Sequence, residues 1–559
     1  MRSFSRGVRV IGEATHHVEN QAPWRVDVDE YALNGPLRDG VVAFGAEWAD
    51  AELHDIGLEV GSADFQRDAY LANVHTPVAQ THDRWGYRLD EVEYDPAYHR
   101  VIAAALARGA HTSAWAEPRP GASVARAAVF MLFAQVEPGH ACPVSMTHAA
   151  VASIADTPRV ADEWLPRLYS REYEPRLLGP ERKRSALIGM AMTEKQGGSD
   201  VRANQTTAVH IGGNSYELTG HKWFCSTPMS DGFLVLAQAR EGGAEQGLTC
   251  FFVPRMLAHG TRNVFRIQRL KDKLGNRSNA SAEVEFAGTI GTLLGEPGRG
   301  VRTIIEMVQR TRLDCVLGSA AGMRQAVAEA LWHARGREAF GALLVDQPAM
   351  AAVLADLALE AEAATLTGLR MAQAFELDAS GQDVAFRRLA TPVAKYWVCK
   401  RGPQHAYEAM ECLGGNGFIE DFPLAMRYRE QPVMAIWEGT GNVIALDVLR
   451  ALTRDRDVAQ AFAAELEVTR GASALLDAHT DGALQTLDAM VGATASEAQA
   501  GARRLTEQLA LALQGSLMVR HAPGVAADAF LASRLGADRS AQYGSLARGV
   551  DAAGILSRH

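Results

Sequence analysis

The sequence predicts a mainly α-helical protein with one central β-domain and a further helical region at its C-terminal end. Two features predict this. Breaker-poor stretches rich in helix formers flank residues 185–295 on both sides. Within 185–295, short β-branched and apolar runs alternate with glycine-rich turns.

Taken in order, residues 1–184 read mostly helical. Segment 122–136, ASVARAAVFMLFAQV, has no breaker after Gly121, while Pro118, Pro120, Pro138 and Gly139 divide the region into several helices. The β-domain, 185–295, contains QTTAVHI and SYELTGHKWF around Gly212-Gly213-Asn214, which reads as a hairpin. FLVLAQA, LTCFFVP and AEVEFAG supply further strands. A helical-bundle region, 296–452, follows, with helices expected over 302–335, 349–376, 384–412 and 440–452; Gly414-Gly415 provides a C-terminal stop for the third. The tail, 453–559, places Leu505, Leu509, Leu513 and Leu517 at steps of four, an apolar stripe expected to be the core of an added bundle.

Composition narrows the function classes. The net charge of -10, from 66 acidic and 56 basic side chains, argues against a surface that coats nucleic acid. Six cysteines are scattered singly with no CxxC pair, as expected for buried small hydrophobes in a reducing compartment. His16-His17 has no third group at ligand spacing, so no metal is expected. No apolar run reaches membrane-spanning length and the N-terminal MRSFSRGVRVIGEATHH lacks a secretory core, which makes the cytoplasm the expected location. No P-loop or GxGxxG fingerprint is present, which removes support for nucleoside-triphosphate and nicotinamide chemistry.

Three motifs could carry chemistry. MTEKQGGSD, Met192 to Asp200, follows the apolar strand ALIGMAM; its glycines let a backbone approach a ligand and its hydroxyls can meet a ring system, although a surface turn would look the same. AIWEGTGN places one carboxylate, Glu438, between Trp437 and a Gly-Thr-Gly turn; an apolar setting would make it a base near neutral pH, an exposed one a solvated glutamate. LGGNGF, Leu413 to Phe418, is a glycine cluster after a helix. RLKDK, Arg269 to Lys273, reads as a solvated charged loop.

The order of these motifs, with RxxFG at Arg337 to Gly341, resembles the acyl-CoA dehydrogenase family over residues 1–452. The strings MTEKQGGSDV, GHKWFCS and RLKDKLGNRSNAS, with the added C-terminal region, are similar to its AidB branch, which is associated with the bacterial response to DNA alkylation. The resemblance implies the family's fold: a helical domain, a β-barrel-like domain and a four-helix bundle, plus the C-terminal extension. It implies FAD as cofactor, an acyl-CoA substrate and a homotetramer. Glu438 matches the catalytic base and Arg312 a buried arginine beside it; Thr311 stands where isovaleryl-type members carry a glutamate. Met192, Thr193, Ser199 and Ser226 match flavin contacts, and Phe224 the position of a shielding tryptophan. Arg337, Phe340 and Glu411 match residues reaching the cofactor of the other subunit, and Gly414, Gly415 and Gly417 the adenosine-pyrophosphate loop. Trp437, Thr440 and Asn442 complete the expected cofactor set.

The same resemblance implies a restricted acyl path, weak dehydrogenase turnover and nonspecific binding of double-stranded DNA. Residues 451–559 hold ten arginines, no lysine and twelve acidic side chains, which is no basic domain; Arg450, Arg503, Arg504 and Arg520 are the candidate phosphate contacts. The alternative is an ordinary FAD-dependent acyl-CoA dehydrogenase of acyl-CoA catabolism, with a structural tail and no DNA role.

Overall fold

Side-chain caps and prolines set where the N-terminal helices begin in the computed structural model, which describes residues 15–454, 456–537 and 539–559. Residues 1–14, most of the stretch read against a secretory signal, lie outside them. Asn34 caps Gly35–Ala43 by accepting from the Leu37 amide, and Asp95 caps Pro96–Ala107 from Ala97. Ala122–Ala134 is buried along its whole length, which is why it shows no amphipathic pattern. One element of this region differs from the expectation: Val78–His82 and Arg88–Glu93 form an antiparallel hairpin. Its strands are too polar to read as buried strands, and tertiary contact holds them. The Arg255 guanidinium donates to Asp90 O at 2.7 Å, and the Ile267 amide to Asp90 Oδ1 at 2.8 Å, which ties the hairpin to the β-domain.

The β-domain is closed. Thr207–Gly212 pairs with Ser215–Ser226, which pairs with Ser281–Leu294, then Ala244–Pro254, then Gly232–Glu241, and this last strand returns in parallel to Thr207–Gly212. Ile188–Ala191 adds in parallel at the other end of Gly232–Glu241, and Arg266–Leu270 pairs with Ser281–Leu294. Closure removes the free edges that an open sheet would present. The register brings Ser226 opposite Ser281.

Below it lie Gly300–Arg335, Pro348–Ala374 and Gly381–Glu411, with Leu424–Met434 and Gly441–Arg454 packed alongside. In the tail, Leu505, Leu509, Leu513 and Leu517 are all buried, but not in a core of their own: one apolar cluster joins them to Leu354, Phe386 and Leu389 of the bundle. Buried ion pairs tie the two regions. Arg370 bonds Glu465 at 2.7 Å, and Arg534 bonds Glu360 at 3.1 Å beside Arg401. All six cysteines are free and buried. Among the described residues no helix is long and apolar enough to cross a membrane, and no group of three His, Cys, Asp or Glu side chains could hold a metal; His16 and His17 are exposed.

Candidate active site

The turn between Leu424–Met434 and Gly441–Arg454 carries Glu438 in left-handed backbone, φ 57°. Such a conformation costs a non-glycine residue about 1–3 kcal/mol and persists only where its surroundings over-determine it. Here two cations from two helices do so. Lys395 Nζ donates to Trp437 O at 2.8 Å and Gly439 O at 2.5 Å, and Arg312 Nε donates to Glu438 O at 3.0 Å. Arg312 is itself fixed by Asp447 at 2.7 Å. The Glu438 carboxylate therefore has a set direction, with Oε2 accepting from Thr311 Oγ1 at 2.9 Å. Burial raises its pKa, against the pull of Thr311, Arg312 and Lys395. Of this framework the sequence pointed to Glu438 and Arg312. It missed Lys395, whose only signal is a lysine inside the otherwise apolar run PVAKYWV.

The opposing wall comes from the β-domain. Met192 and Thr193 follow the strand Ile188–Ala191, and a buried ion pair shapes their turn: Lys222 Nζ donates to Glu194 at 2.9 Å, Leu236 O at 2.7 Å and Met192 O at 3.3 Å. Burial alone would push the Glu194 carboxyl up, but Lys222 and the amides of Gln205 and Thr206 hold it down at about 2. Glu194 and Lys222 are thus structural members of strings the sequence singled out for ligand contact. Gly198 is required, because a Cβ there would lie 2.4 Å from Thr193 Oγ1. Ser199 is exposed, and Phe224 is half-exposed with its ring edge-on to Trp223. Ser226 faces Ser281 across the ladder, hydroxyl to hydroxyl at 3.4 Å.

The two walls meet. Met192 and Trp437 both pack on the apolar cluster that contains Cys142 and Met146. Trp437 Nε1 is buried with no hydrogen-bond partner. An orphan indole donor on the same cluster that Met192 packs against suits the polar edge of a flat ring system. Thr440 is exposed, and Asn442 Oδ1 accepts from Arg503 Nε at 2.8 Å.

The remaining candidates are not part of this cleft. Arg337 follows the C-terminal end of Gly300–Arg335, about 35 Å along that one helix from Arg312. There it bonds Asn20 O at 2.9 Å, and Phe340 projects fully exposed, φ 54°, from the tip of a two-residue-strand hairpin. Glu411 lies about 24 Å along Gly381–Glu411 from Lys395 and accepts from the Tyr407 hydroxyl at 3.3 Å. Gly414 (φ 57°) and Gly415 are open to solvent, and Gly417 is pressed against Met410 O, 2.0 Å from where a Cβ would sit.

The four arginines considered for DNA also separate. Arg503 and Arg504 lie exposed near the start of Ala495–His521, while Arg520, about 25 Å further along it, pairs with Glu465 at 2.6 Å. Arg450 is exposed and bonds its own helix at Leu446 O, 3.2 Å. The RLKDK run is not simply solvated: Lys271 lies over the Trp223 ring at 3.1 Å and bonds Glu283 at 2.6 Å, and Lys273 turns inward.

Comparison with known proteins agrees with this architecture. Three family models match in order: the adaptive response protein AidB N-terminal domain over residues 20–175, the acyl-CoA dehydrogenase middle domain over 189–289 and the acyl-CoA dehydrogenase C-terminal domain over 298–453. The chain is 44% identical to the AidB protein of Escherichia coli (strain K12) over 510 residues, 91% of this chain and 92% of the relative. Among solved structures it is similar to Caenorhabditis elegans ACDH-11 in complex with C11-CoA, at 25% identity and TM-score 0.85 over 98% of this chain and 97% of the other. It shares the fold of a Bacillus anthracis acyl-CoA dehydrogenase complexed with FAD, at 18% identity and TM-score 0.63, with 76% of each chain covered.

Proposed function

Because the chain belongs to the acyl-CoA dehydrogenase family, in its AidB branch, we propose that it is an FAD-dependent acyl-CoA dehydrogenase with Glu438 as its base. The observation that carries this reading is the Glu438 turn, a carboxylate of raised pKa whose backbone is held by Arg312 and Lys395 and whose Oε2 is held by Thr311. Thr311 holds Oε2, which leaves Oε1 to take the proton α to the thioester carbonyl. Bound FAD supplies the two-electron acceptor for the hydride leaving the β carbon. The Met192 main chain, Thr193, Ser199, Phe224, Ser226, Trp437, Thr440 and Asn442 would hold it in one chain. Arg337, Phe340, Glu411, Gly414, Gly415 and Gly417 of a second copy would complete the site; their distance from Glu438 within one chain supports this sharing. An acyl-CoA ligand is supported by the C11-CoA complex of the nematode neighbour.

The purified protein is expected to be yellow. Anaerobic titration with a panel of acyl-CoAs, isovaleryl-CoA included, should bleach the flavin slowly, and flavin should be lost on dilution to monomer. A colourless protein that takes up no FAD overturns the reading.

A second reading, weak sequence-independent binding of duplex DNA, draws on the AidB relationship and the exposed arginines of the tail. Arg503 is engaged by Asn442 and Arg520 by Glu465, so Arg450→Ala with Arg504→Ala is the variant that leaves both contacts intact. It should lower DNA affinity and flatten its salt dependence, leaving the flavin spectrum unchanged. A wild type that binds no duplex even at ~50 mM salt removes this reading and leaves the tail structural.

A further inference from the structure

Lys273 stands in a segment that the sequence reads as a solvated loop, yet its ammonium is turned inward, onto Asn279 and Ser281. Its Nζ donates to Asn279 O at 2.5 Å and to Ser281 Oγ at 3.1 Å. Among the described residues no carboxylate oxygen lies within ion-pair distance of it: Lys271 next along takes Glu283, whereas Glu430 and Glu137 act on Lys273 only from further off. A half-buried cation without a carboxylate partner is expensive to maintain, and such groups cluster at functional sites.

Hydrogen-bond arithmetic then sets the first link beyond it and leaves the second open to one direction. An ammonium has three donors and no acceptor, so Ser281 Oγ must accept from Lys273. The Ser281 proton is thereby free for Ser226 Oγ, 3.4 Å away across the ladder. With its oxygen accepting from Ser281, the Ser226 hydroxyl keeps its own proton for a further acceptor, on the side where Cys142, with which it hydrogen-bonds, and Glu438 lie. The loop is held for this geometry by contacts from other elements. The Asn276 amide donates to Glu430 Oε1 at 2.7 Å, Ser278 Oγ to Glu137 Oε1 at 2.7 Å and Thr227 Oγ1 to Asn279 Oδ1 at 2.9 Å.

We propose that Lys273 is a positioning residue which, through Ser281, sets Ser226 as a hydrogen-bond donor into the cleft and, by its charge, favours the reduced, more negative form of the flavin bound there. The inference rests on the flavin reading above and deepens it. Burial pushes the ammonium down to about 8, with Cys142, Glu430 and Glu137 opposing, so the charge is present at neutral pH.

The experiment is spectroelectrochemical titration of the full-length, flavin-loaded protein as wild type, Lys273→Met and Ser281→Ala. Lys273→Met should shift the oxidised-to-reduced ratio at fixed poise about tenfold toward oxidised, ~30 mV for a two-electron couple. Ser281→Ala, which keeps the charge and removes the relay, should alter the flavin absorbance band and shift the ratio less, with unchanged thermal unfolding. Should Lys273→Met fail to fold, an unaltered flavin band and potential in Ser281→Ala overturn the proposal. Flavin-loaded Lys273→Met with the wild-type potential overturns it as well, while leaving the FAD reading intact. A wild type that binds no flavin overturns both.

Discussion

Glu438→Gln should retain FAD and lose at least about a hundredfold in the rate at which acyl-CoAs bleach the flavin. A positioned general base is worth about 10²–10⁴ in rate. The substitution keeps the shape of the side chain, and the turn is held through backbone carbonyls by Lys395 and Arg312, none of which it touches. The wild-type rate also carries a pH signature. Burial raises the Glu438 pKa, and the active form is the carboxylate, so the rate should fall as pH drops through that raised value. Thr311 opposes the rise by donating to the carboxylate; Thr311→Val should therefore move the inflexion to higher pH. Stopped-flow flavin absorbance across a pH series checks all three. Bleaching by Glu438→Gln at the wild-type rate would remove this residue from the mechanism.

The second large effect concerns stability. Asp314→Ala should destabilise the protein by about 3–5 kcal/mol, the cost of leaving a buried guanidinium without its carboxylate. Arg126, on Ala122–Ala134, and Asp314, on Gly300–Arg335, form a two-pronged ion pair with both side chains almost fully buried, and Arg126 Nε also donates to Ala110 O at 2.8 Å. The pair joins the N-terminal helices to the helix that presents Thr311 and Arg312. Arg126→Met combined with Asp314→Leu should be less damaging than Asp314→Ala alone, because replacing both partners removes the unpaired charge. Chemical denaturation of the three proteins measures this. If Asp314→Ala costs less than ~1 kcal/mol, the pair is not a structural tie.

The elements legible in the sequence were those specified locally. Gly212-Gly213-Asn214 between two β-branched runs became the turn between Thr207–Gly212 and Ser215–Ser226. Helices expected over 302–335 and 349–376 appear as Gly300–Arg335 and Pro348–Ala374, since long apolar periodicity leaves few alternatives. The hairpin Val78–Glu93 was not legible because its stability comes from Arg255 and Ile267, far away in the chain. Nor was the fate of the leucine stripe in the tail: periodicity marks a face as buried without saying against what, and the face found the bundle's own core.

The candidate site divides along the same line. In the sequence, local chemistry marked Glu438 beside Trp437 as a candidate, and the family resemblance added Thr193 before Gly197-Gly198 and Ser226 at a strand end. Only the tertiary structure decided which groups surround them. It supplied Lys395 and Arg312 to hold the Glu438 turn, turned Glu194 and Lys222 into an internal brace, and brought Lys273 to Ser281 and Ser226. It also separated Arg337 and Glu411 from Glu438 by the length of rigid helices. A hydrogen bond or buried charge depends on groups brought together from distant segments, and no local pattern encodes which distant group arrives.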